Sequence, residues 1–159
     1  MSTDSIRNPY LPTPMHVLHA YYESTDRTLK TLELSFDNPQ DSTAFFRKFN
    51  PGQFCQLSVF GKGESPIGVA SADPLGMRGP LGNGFPLEAW KGKNLVIIGG
   101  GCAFSTLYAL TKHVQHPQNR PDFGQIVVIY GSRSSGLCMY KHDIQSWYKR
   151  EDMEVHQAI

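Results

Sequence analysis

The residues with the plainest chemical potential are the glycines that end Leu95-Val-Ile-Ile-Gly-Gly-Gly101. An apolar run rich in β-branched residues stops there, and Cys102-Ala-Phe-Ser-Thr-Leu-Tyr-Ala-Leu110 takes up helical spacing. A buried strand, a tight turn and a helix N-terminus, in that order, form a seat for phosphate. Free backbone N–H groups and the helix dipole point at the anion, and glycine lets it approach closely. Gly99, Gly100 and Gly101 also have a bland use, because they let a helix pack closely on a strand. Both uses stand open on the residues alone.

Other reactive side chains are present but poorly grouped. Cys55, Cys102 and Cys138 lie far apart and form no CxxC pair. So spaced, they are a poor set for zinc or iron–sulfur, and the expectation for all three is burial as small apolar residues. His16 and His19 fall in a strand-like stretch, where an offset of three puts them on opposite faces. His113 and His116 sit near the C-terminus of the expected helix, where a cation complements the dipole. A metal site is not expected, and no acid–base pair or nucleophilic triad stands out.

Composition narrows the function classes. The chain has 159 residues, 40% hydrophobic and 18% charged, which suits one ordinary globular domain or two small ones. A formal charge of +1 gives no electrostatic case for nucleic acid or an anionic membrane. No apolar run approaches the length of a membrane span, so no membrane insertion is expected. The polar opening Met1-Ser-Thr-Asp-Ser-Ile-Arg-Asn-Pro9 lacks the apolar core of a signal peptide. The expected location is cytoplasmic.

The elements that must position these residues fall into two textures. Met15–Tyr22, Thr28–Phe36 and Phe54–Phe60 read as short strands, with Leu32, Leu34 and Phe36 alternating in the second. In the third, Cys55, Leu57 and Val59 share one face. Asp37-Asn-Pro-Gln-Asp-Ser42 reads as a loop, and Pro51-Gly52 as a turn. Such spacing suggests a small antiparallel barrel. From Lys93 the period changes: a strand at Leu95–Ile98, a helix from Ala103 to about Gln115, and a strand at Ile126–Tyr130. A helix around Asp143–Lys149 and a short strand at Met153–His156 complete βαβαβ, half of a doubly wound parallel sheet. The glycine- and proline-rich Gly76–Pro86 stretch marks the boundary. Residues 1–78 are expected to form an incomplete barrel-like domain, 79–92 a linker, and 93–159 a truncated nucleotide-binding half.

An antiparallel barrel followed by a nucleotide-binding half resembles the ferredoxin–NADP reductase-like flavoproteins, particularly their anaerobic electron-transfer branch. That branch includes the electron-transfer subunit of dihydroorotate dehydrogenase, sulfhydrogenase gamma subunits and the B subunit of anaerobic sulfite reductase. Pro51-Gly-Gln-Phe54 resembles the strand opening before the flavin site. Ser65-Pro-Ile-Gly-Val-Ala-Ser71 resembles the flavin loop, and Gly79-Pro-Leu-Gly-Asn-Gly-Phe85 the link between domains. Leu95–Gly101 and Tyr130-Gly-Ser-Arg133 resemble the nicotinamide-dinucleotide side. The resemblance implies FAD held at Ser65, Pro66, Ile67 and Gly68. It implies NAD(P)H over Gly99, Gly100 and Gly101, with Tyr130, Gly131 and Arg133 beside it. It also implies electron transfer to a redox partner subunit in a hetero-oligomer.

Departures from the family pattern shape the remaining expectations. The family has serine or threonine where Gly68 stands, so one hydrogen bond to the flavin edge lacks its donor. It has a further glycine and a proline after the turn, where this chain has Ala103 and Thr106, so weak nucleotide affinity is expected. Between Ser71 and Gly76 the chain is shorter than the family's segment for the FAD pyrophosphate. The family's later strands and cysteine cluster have no counterpart, so no iron–sulfur cluster is expected in this chain. Half a sheet leaves the first strand's outer edge unpaired, a gap a partner subunit would cover. Two other readings compete with electron transfer. One is a non-catalytic remnant or interaction subunit, with the same residues as scaffold. The other is a plain dehydrogenase, which leaves the first half of the chain unexplained.

Overall fold

Apolar runs and capping residues account for most of the elements in the computed structural model, which describes residues 11–59, 62–68 and 78–159. Strand β1 (Met15–Tyr22) pairs antiparallel with β2 (Lys30–Phe36), with an irregularity between Val17 and His19. Helix α1 (Pro39–Phe46) follows, in a segment expected as loop. Its start signals are local: the Asn38 side chain accepts from the Gln40 backbone N–H at 2.9 Å, Pro39 opens the first turn, and Asp41 complements the dipole. The polar composition of that segment is the composition of a helix start as well as of a loop.

Strand β3 (Phe54–Val59) sits between β4 (Gly63–Gly68) and β5 (Arg78–Leu81), both antiparallel to it. The two antiparallel sheets are separate, and no closed barrel forms among the described residues. The stretch expected to be a linker therefore begins with a strand of the antiparallel unit. Their small core packs Phe36, Phe45 and Cys55 with Phe46, Phe49 and Leu57 against it. Val59, expected to share a face with Cys55 and to stand exposed in an incomplete barrel, is exposed.

Helix α2 (Leu87–Trp90) leads into the second half. Strands β6 (Leu95–Gly100), β7 (Ile126–Gly131) and β8 (Met153–Ala158) lie parallel in that order. Helices α3 (Phe104–Gln115) and α4 (Lys141–Trp147) make the crossovers expected from the spacing. Register places Leu95, Ile126 and Met153 in one row and Ile97, Val128 and Val155 in the next. These rows pack against Phe104, Leu110, Val114, Ile144 and Trp147 in the main core. Burying each large apolar side chain contributes about 1.5–3 kcal/mol, so this core dominates stability. On the other sheet face Val96 is 61% and Ile98 65% exposed, and β6 pairs only with β7 among the described strands.

Contacts tie the halves together. The Thr25 N–H donates to the Gly136 carbonyl at 3.1 Å, and the Phe85 N–H to the Pro51 carbonyl at 2.8 Å. Among the described residues no helix is long and apolar enough to cross a membrane. Removing the α1 cap by Asn38→Ala should lower unfolding free energy by about 1 kcal/mol, whereas emptying the core by Trp147→Ala should cost about 3–5 kcal/mol. Urea unfolding followed by fluorescence and circular dichroism checks both.

Candidate functional site

The three glycines after the β6 apolar run have three different environments. A Cβ on Gly99 would run into the Leu107 side chain and lie 3.1 Å from the Phe104 ring, so this glycine lets α3 pack on β6. A Cβ on Gly100 would lie 3.1 Å from the Gly131 carbonyl oxygen, where β6 and β7 end side by side. Gly101 has φ +55°, and a Cβ there would have nothing within 4 Å. The bland use therefore belongs to Gly99 and Gly100, and the open approach to Gly101.

Gly101 opens a 3-10 turn, Gly101–Ala103, that runs into α3. The Phe104 N–H that begins α3 already donates to the Gly101 carbonyl, and no side chain caps the 3-10 turn, so the N–H groups at the start of that turn are the ones placed to meet an outside acceptor. Cys102 is exposed on this turn, against the expectation of burial, because the chain leaves the sheet there. The other two cysteines are buried as expected. Burial pushes the Cys55 thiol up to about 12, which leaves it inert at neutral pH.

Across the turn stands the end of β7. Tyr130 is fully buried, its ring 4.5 Å from Phe104, and its hydroxyl accepts from the Met139 N–H at 3.1 Å. Its ring thus belongs to the core and offers no surface to a ligand; it holds the 132–140 loop in place. Burial also raises its phenol pKa. Gly131 pairs with both Gly100 and Ala158, and Arg133 stands exposed just beyond. The Ser132 hydroxyl donates to the Ser134 carbonyl at 3.0 Å, shaping that short loop.

The same loop is braced from the first half of the chain. Tyr140 has φ 55°, a left-handed conformation unusual for a bulky residue, and its N–H donates to Glu23 Oε2 at 3.4 Å. Its ring stacks on Tyr108 at 4.0 Å and 14°, and the Tyr108 hydroxyl donates to Asp143 Oδ2 at 3.0 Å. Burial and the neighbouring Asp143 carboxylate raise the Tyr108 phenol pKa, so it stays a neutral donor. Sequence reasoning missed Glu23 and Tyr140. Nothing local to either residue signals their meeting.

Ser65, Pro66, Ile67 and Gly68 form the last part of β4, an edge strand, with Ser65, Pro66 and Ile67 exposed. Pro66 suits an edge because it has no N–H to leave unpaired. Opposite Pro66, Gln56 Oε1 is buried without a hydrogen-bond partner. Gly68 meets the first turn of α3: a Cβ there would lie 2.5 Å from Thr106 Oγ1 and 3.2 Å from Ser105 Oγ. The structure thus brings Gly68 against the first turn of α3, the helix into which the Gly101 turn leads. Val69, Ala70 and Ser71 lie outside the described residues. Among the described residues no group of three or more His, Cys, Asp or Glu could hold a metal ion.

No family model matches the chain. It is 30% identical over 182 residues to the gamma subunit of sulfhydrogenase 1 from Pyrococcus furiosus, a match covering 96% of this chain and 60% of that one. The chain is also homologous to electron-transfer subunits. To the probable electron transfer subunit of dihydroorotate dehydrogenase B (NAD(+)) from Thermococcus kodakarensis it is 32% identical over 129 residues, covering 65% of this chain and 52% of that protein. A ferredoxin-NADP+ reductase from Plasmodium falciparum superposes with TM-score 0.71 at 13% identity, covering 93% of this chain and 70% of that one. The fold is ferredoxin–NADP reductase-like. The chain spans about 60% of the length of the sulfhydrogenase subunit it matches.

The glycine environments make a stability test. Gly99→Ala should destabilise by about 1–3 kcal/mol, as overpacking does. Gly101→Asn should stay within about 1 kcal/mol of wild type, because asparagine tolerates the left-handed region and the space is open. Urea midpoints of the two variants check the difference.

Proposed function

We propose that this chain is an FAD-dependent electron-transfer oxidoreductase subunit that passes electrons between NAD(P)H and a partner redox protein. The observation behind this reading is the meeting of Gly68 with the first turn of α3. It sets an edge strand suited to a flat heterocycle beside a glycine turn suited to a pyrophosphate. FAD, when bound, supplies the exchange between two-electron hydride chemistry and single-electron transfer.

The chain's own residues would bind and orient. The open space at Gly101 would admit phosphate oxygens, and the N–H groups at the start of the uncapped Gly101–Ala103 turn would donate to them. Arg133, exposed just beyond the end of β7, adds a positive charge at the same end of the sheet. Ser65, Pro66 and Ile67, exposed on the edge strand, would face the flavin, and the buried Gln56 Oε1 opposite Pro66 keeps an unused acceptor nearby. The residues present fit both groups. Tyr130 acts at one remove, by fixing the loop that carries Arg133. No proton-transferring side chain is required by this reading.

Domain roles follow from this reading. Residues 1–78 would serve the flavin, 93–159 the nicotinamide dinucleotide, and 79–92 the join, with β5 of the join completing the first unit. The relatives are named as subunits, which supports a redox partner in a hetero-oligomer. The exposed Val96 and Ile98 beside the free edge of β6 support the same view. Cys55, Cys102 and Cys138 are a poor set for an iron–sulfur cluster, which supports the reading that these residues hold none. A cytoplasmic location suits both cofactors.

The test is a spectrum. The full chain purified with added FAD should show bound oxidised flavin, and anaerobic NADH or NADPH should bleach it. A colourless protein that takes up no FAD would refute the reading. Gly101→Asn should weaken NAD(P)+ binding about tenfold or more, a loss of about 1.4 kcal/mol, without unfolding the protein. Calorimetry with each nucleotide measures it.

A further inference from the structure

A side chain missing from one element is replaced in space by a hydroxyl from another. At Gly68 the edge strand β4 ends without a side chain, and the volume a Cβ would take lies 2.5 Å from Thr106 Oγ1. Ser105 Oγ stands 3.2 Å from the same point. Both residues are half-buried in the first turn of α3. Neither hydroxyl has a hydrogen-bond partner among the described residues. Thr111, one turn further into the same helix, shows the usual alternative, donating to the Leu107 carbonyl at 2.8 Å.

We propose that Thr106, with Ser105 beside it, supplies from the nucleotide-binding half the hydroxyl that holds the flavin ring edge at Gly68. The inference rests on the electron-transfer reading above. A hydroxyl both donates and accepts, so it can donate to an unprotonated ring nitrogen and accept from a protonated one. One group therefore serves the oxidised and the reduced ring. Gly68 and Thr106 then form a matched pair. Glycine on the strand makes room for threonine on the helix, and a serine on the strand would collide with it. Because the donor sits on α3 beside the Gly101 turn, flavin binding would also fasten the two halves together.

The experiment is a double-mutant cycle on the full chain, read by FAD titration with fluorescence quenching and by thermal melting. Thr106→Val keeps the shape and removes the hydroxyl; FAD affinity should fall about tenfold with the melting temperature of the FAD-free protein unchanged. Gly68→Ser alone should lower the FAD-free melting temperature through the collision. Gly68→Ser with Thr106→Ala should recover both the melting temperature and FAD affinity to within about threefold of wild type. Wild-type affinity in Thr106→Val, or a double variant no better than Thr106→Ala, would overturn the inference while leaving the electron-transfer reading intact. A wild-type chain that binds no FAD would overturn both.

Discussion

Close backbone approach around the first turn of α3 is the constraint on which the rest of the site depends. A helix can sit this near a sheet only where the sheet carries no side chains. Gly99 gives way to Leu107 and Phe104, Gly100 to the end of β7, and Gly68 to Thr106. Two glycines from two separate sheets, Gly99 and Gly68, thus face the start of α3, while Gly100 faces the end of β7. An added methyl at Gly99 or Gly68 would meet another side chain, so the packing there has little room to adjust. Gly101 differs because its backbone turns left-handed into open space.

Around this contact the structure fixes its loops with aromatic rings and the carboxylates they or their backbone donate to. Tyr130 anchors Met139 from beneath, Tyr140 stacks on Tyr108, and Glu23 from the first hairpin holds the strained Tyr140 backbone. Tyr130 is fully buried and Tyr108 and Tyr140 largely so; desolvation raises the phenol pKa of all three, which keeps them neutral donors or acceptors. The ion pairs lie mostly at the periphery, as where Asp152 bridges Arg150 and Arg120. Those Arg150 and Arg120 hydrogen bonds hold the Asp152 carboxyl below its ordinary range. Partly exposed pairs of this kind contribute little to stability, so the aromatic core does most of the positioning.

The parallel sheet is packed on one face and open on the other. Leu95 and Ile97 are buried, while Val96 and Ile98 of the same strand are largely exposed. Strands of a parallel sheet are apolar on both faces because both are ordinarily covered. The exposed face and the free edge of β6 are therefore where further polypeptide would gain most by packing.

Much of the second half was legible from local pattern. The run Leu95–Ile98, the helical spacing from Phe104 to Val114 and the run Ile126–Tyr130 each declare their element without outside help, and the parallel order follows from their alternation. Helix α1 reads as a loop instead, because Asn38, Pro39 and Asp41, which start it, are residues that a loop also favours. What the sequence could not decide was which of Gly99, Gly100 and Gly101 faces open space. Nor could it decide that Tyr130 points into the core, that Cys102 stands in solvent, or that Gly68 meets Thr106. Periodicity reports which face of an element is apolar. Only the packing of one element on another determines which distant residues share a volume, and Gly68 and Thr106 share theirs because the end of β4 and the start of α3 are folded against each other.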